Sequence, residues 1–98
     1  MKWLEIVKLR SVRENAGELD AFFRSIDQVN EKGLAQIKIY RHAAIETDWS
    51  LHLLWAAEKQ GKNGSALGFH LARVLKDFGL VDHSLWIEEE KKRKGRKK

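Results

Sequence analysis

A chain of 98 residues, 43% apolar and 34% charged, has room for one hydrophobic core and no second domain, and no run approaches the ~18 apolar residues of a membrane span. With no cysteine, disulfides, thiolate nucleophiles and Cys-ligated zinc or iron–sulfur chemistry are excluded. The formal charge of +5 belongs to one segment: residues 91–98 read KKRKGRKK, while residues 1–90 hold 12 Lys and Arg against all 14 Asp and Glu, a net of −2, so the body offers no basic nucleic-acid surface.

The start, Met-Lys-Trp-Leu-Glu, lacks the apolar block of a secretory signal, and a cytoplasmic protein is expected. Residues 3–12, WLEIVKLRSV, put Trp3, Val7 and Leu9 on one parity and Leu4, Ile6 and Val12 on the other, which predicts a strand with two covered faces. Asn15 and Glu18 are spaced like a capping box. Leu19, Phe22, Phe23, Ile26 and Val29 follow at helical spacing, so a helix is expected over about 16–31, ended by Gly33. Residues 34–45 alternate, with Ala35, Ile37, Ile39, Ala43 and Ile45 opposite Gln36, Lys38, Tyr40 and His42. Glu46-Thr47-Asp48 supplies a turn, and WSLHLLWAAE at 49–58 completes a hairpin. A polar loop at 59–64 precedes Ser65, which caps a second helix with the stripe Leu67, Leu71, Val74, Leu75 and Phe78. Gly79 stops that helix, with Leu80 suited to a Schellman contact, and a last strand runs over 83–90.

The order β-α-β-β-α-β predicts an α+β, ferredoxin-like fold over residues 1–90: a four-stranded antiparallel sheet with both helices on one face. The Ile37, Ile39, Ile45 series can meet the helices. Tyr40, His42, Trp86 and one parity of 49–58 are left for the other face, an apolar surface that predicts a homodimer joined sheet against sheet.

This layout, the tryptophans in the third and fourth strands and the closing DFGLVDHSLWIEE resemble the dimeric α+β barrel superfamily, which includes antibiotic-biosynthesis and haem-degrading monooxygenases and stress-responsive barrel proteins. The resemblance implies a ligand cavity between the sheet and the helices of each subunit and, where there is catalysis, chemistry of the cofactor-independent monooxygenase kind or of a related isomerase or decyclase. Haem-degrading members use an Asn on the first strand, a Trp on the third and a His on the second helix. Trp55 and His70 resemble the last two, but residues 3–12 hold no Asn, and Glu5 is a different group. Trp55 and His70 are thus the candidate catalytic and ligand-binding residues, with the 59–64 loop as a gate, and no cofactor or metal is expected.

His42 and His52 are further ligand-binding candidates, since a turn near 46–48 sets them opposite each other, but no third group completes a metal site. His83 lies just before the last strand with no partner fixed by spacing. Glu88, Glu89 and Glu90 alternate in direction and cannot converge on one substrate. The tail, Lys91, Lys92, Arg93, Lys94, Arg96, Lys97 and Lys98, is expected to be disordered and is the one part suited to nucleic acid. Two functions follow: a dimer that binds a small apolar ligand, with catalysis left open, and an interaction module whose tail touches nucleic acid.

Overall fold

The first strand, β1, forms over Trp3–Ser11, and its alternation sets the layering of the chain. Trp3, Glu5, Val7 and Leu9 are buried, Leu4 and Ile6 are half-buried, and Lys8 and Arg10 are exposed. The computed structural model describes residues 2–12, 16–56 and 64–89. After β1 come α1 (Ala16–Ile26), β2 (Leu34–Arg41), β3 (Asp48–Trp55), α2 (Ala66–Leu75) and β4 (Gly79–Ile87). The strands pair antiparallel in the order β2-β3-β1-β4, the ferredoxin-like arrangement expected from the order of elements.

Both helices cover one face. Leu19, Phe23 and Ile26 of α1 and Leu71, Ala72 and Leu75 of α2 share a buried cluster with the odd-numbered residues of β1 and β3. Each Leu, Ile or Phe side chain among them contributes about 2 kcal/mol on burial. The odd parity therefore decides which side of the sheet the helices take. No helix among the described residues is long and apolar enough to cross a membrane.

Several boundaries differ from expectation for local reasons. Helix α1 ends at Ile26, five residues before the expected end, because the chain tightens there into bonds from Gln28 N to Ser25 O and from Val29 N to Ile26 O. Gly33 is therefore no helix cap; it adjoins β2, where its carbonyl accepts from Ala56 N. Helix α2 ends at Leu75, and Gly79 opens β4 opposite Ser11 instead of stopping a helix. Leu80 makes no Schellman contact and is 75% exposed on the uncovered face.

The β2–β3 connection spans 42–47, because the His42 side chain turns the chain early. Its Nδ1 accepts from Ala44 N and Ile45 N, both at 3.0 Å, while His42 N donates to Asp48 O. The strand register shifts accordingly. His52 lies opposite Lys38, not His42, and Ile45 sits exposed in the loop, not on the helix-facing side. The Asn15 cap, most of the 59–64 loop and the basic tail lie outside the described residues.

Candidate functional site

Among the described residues one charged side chain lies fully inside the core: Glu5, at 0% exposure, in the middle of a central strand. Its backbone pairs with Leu53 on β3 and Leu85 on β4, so β1 aims the side chain toward the N-terminus of α2. There Oε1 accepts from Trp55 Nε1 at 3.0 Å and from Ser65 Oγ at 2.7 Å. Oε2 accepts from Ser65 N at 2.9 Å and pairs with His83 Nε2 at 2.7 Å. Four partners fill the accepting capacity of a carboxylate, which is what makes its burial tolerable.

The sequence builds this site from small parts. Ser65 is the N-cap of α2, in extended conformation, and its Oγ also accepts from Gly68 N at 2.8 Å. Gly64 and Gly68 matter for what they lack, since a Cβ at either would run into Glu5 Oε2. Because a carboxylate only accepts, the pairing puts a proton on His83 Nε2, and in the neutral imidazole the lone pair then sits on Nδ1. Phe69 holds the imidazole edge-on, ring centroids 5.3 Å apart.

Of the residues expected to matter, Trp55 is in this cluster, stacked on Trp3 at 5.3 Å and bonded to Glu5. His70 is exposed on α2, and the histidine that joins Trp55 around Glu5 is His83. His42 organises the hairpin loop. Among the described residues no group of three or more His, Cys, Asp or Glu could hold a metal ion.

His52 belongs to the uncovered face, where its Nε2 lies 2.7 Å from Ser50 Oγ and the Tyr40 ring stands edge-on at 4.7 Å. Burial, and then the charges of Lys8 and Lys38, push its pKa below the ordinary value. At one end of that face the Arg10 guanidinium bonds both Asp48 oxygens, at 3.2 and 3.3 Å. This hydrogen bonding holds the Asp48 carboxyl below the usual range and raises Arg10. Two open concavities flank the centre of the sheet. One, of about 420 Å³, is lined by Lys8, Tyr40, Arg41, Ser50 and Asp82, and the other, of about 570 Å³, by Leu4, Gln36, Leu54 and Trp86 with the edges of Trp3 and Trp55.

The sequence pattern pointed to neither Glu5 nor His83 as a pair. A lone carboxylate on the buried parity, Trp3-x-Glu5-x-Val7-x-Leu9, was the available sign. No known protein family, curated protein or solved structure matches the chain. What the fold and the site define is a class: a small ferredoxin-like α+β protein with a polar cluster buried between its sheet and its second helix.

Proposed function

We propose that the chain works as a homodimer of the dimeric α+β barrel kind, joined sheet to sheet, in which each copy binds a small, mostly apolar molecule beside the Glu5 cluster. The observation that carries this reading is the buried carboxylate. Core stability does not call for it, because apolar residues of similar volume commonly serve as well or better than a buried ionic group. Glu5 and His83 instead give the sheet–helix layer one fixed polar point, as a site for an apolar ligand with one hydrogen-bonding group requires. In its enzymatic form this is chemistry of the cofactor-independent monooxygenase kind.

The dimer is supported by the uncovered face. Leu4 and Leu54 are half-buried at its centre, and Trp86 at 57% and Tyr40 at 47% exposure stand at its edges. The same face carries Asp82 beside Lys8, with Lys38 two strands away, so both signs of charge are present on the surface that a twofold-related copy would meet. The test joins two measurements on the full chain: sedimentation at micromolar concentration, and amide spectra of Ser65 and Gly68 during titration with a panel of small aromatic and carbonyl compounds. A dimer whose two amides shift with a subset of the panel supports the reading. A monomer with unmoved amides overturns it.

A further inference from the structure

We infer that His83 is a general base, held in place by Glu5, that removes a proton from a carbon or oxygen acid on a flat, mostly apolar ligand. This rests on the reading of the Glu5 cluster as a ligand site.

The four partners of Glu5 are not equivalent. Trp55 and the Ser65 backbone offer only an N–H, and the Ser65 hydroxyl is occupied twice, donating to Glu5 and accepting from Gly68 N. The imidazole is the one group of the four with a basic ring nitrogen to offer. Its side chain is 15% exposed, against none for Glu5. Among the described residues its Nδ1 receives no hydrogen bond, so in the neutral imidazole the lone pair opposite Glu5 is unshared. Phe69, 47% exposed and edge-on to the imidazole, offers a flat apolar wall beside it.

The step balances without any co-reactant. His83 Nδ1 takes the proton from a C–H next to a carbonyl, the C–H electron pair moves toward the carbonyl oxygen to give an enolate, and the imidazolium returns the proton at the same or a neighbouring carbon. Glu5 touches no substrate and is a positioning residue. Its carboxylate fixes the tautomer and stabilises the imidazolium, and its other three donors hold it still.

The probe is 5-nitrobenzisoxazole, a flat carbon acid whose isoxazole C–H loses its proton as the N–O bond breaks, releasing a coloured cyanonitrophenolate. With the full chain at neutral pH, the rate per site is expected to exceed that of equimolar free imidazole by at least about 100-fold. His83→Gln should lose this excess, Glu5→Gln should lower it at least about tenfold, and His70→Gln should leave it intact. A second readout uses the unmodified protein: nitrogen-15 spectra should show His83 as the Nε2–H tautomer, which a failure of Glu5→Gln to fold leaves measurable. Equal rates for the wild type and His83→Gln, or an Nδ1–H tautomer, overturn the inference. Should the Ser65 and Gly68 amides still shift with the ligand panel, the binding site stands and only the base is lost.

Discussion

At the scale of single residues, Glu5 has the largest stake. Glu5→Ala leaves the Trp55 indole, the Ser65 N–H and hydroxyl and His83 without their acceptor, and the loss of stability should be about 3 kcal/mol by urea denaturation. The glycines around it supply an internal contrast. Gly68→Ala should destabilise by about 1–3 kcal/mol because the new Cβ meets the carboxylate, whereas Gly17→Ala, with open space around it, should be neutral or stabilise by up to about 1 kcal/mol. His52 titrates in a defined direction. Its lowered pKa means that the unfolded chain binds more protons, so its contribution to stability is full above the unfolded value of about 6.5 and fades as pH falls through the folded one. An NMR titration should place the His52 midpoint below about 6.5, and Lys38→Gln should raise it in part, since burial is the larger cause. Asp48 behaves likewise at lower pH. Its contribution is present above about 3.9 and lost on further acidification, and high salt should weaken it because the Arg10 partner is exposed.

At the scale of elements, alternation and helical spacing were enough to find all six segments, because each must bury one side and the periods of 2 and 3.6 announce it. Their ends were less legible. The end of α1 at Ile26 and the early turn at His42 depend on local hydrogen bonds that composition does not encode. Since hairpin register follows from the loop, a turn at 46–48 would set His42 against His52, whereas the turn over 42–47 sets Lys38 there. The Glu5 cluster was hidden for a related reason: it is assembled from β1, β3, the cap of α2 and β4, residues up to 78 positions apart that no motif spans. His42→Ala tests the hairpin account. Water can satisfy the freed Ala44 and Ile45 amides, so stability should fall by only about 1 kcal/mol, while hydrogen exchange at those two positions accelerates.

At the scale of the whole molecule, two layers are complete and one sheet face is not. Replacing Trp86 with Lys puts a charge where a second copy would sit, and sedimentation should then show a monomer with its helical and sheet signals intact. A dimer that persists in that variant would place the contact elsewhere. The helix-covered face was predicted well because α1 and α2 carry matching stripes. The uncovered face is more mixed than expected, with Lys8, Arg10 and Ser50 interrupting the apolar rows.

The strand order also leaves two unequal borders. Along β2, the irregular step between Leu34 and Gln36 and the charges of Lys38 and Arg41 spoil the template that an incoming chain would need for main-chain bonding. Along β4, nine regular residues run with a single acidic side chain, Asp82, and bare Leu80, Trp86 and Ile87. If the protein ever polymerises into fibrils, growth starts from the β4 border, and a lysine or proline placed there is the remedy.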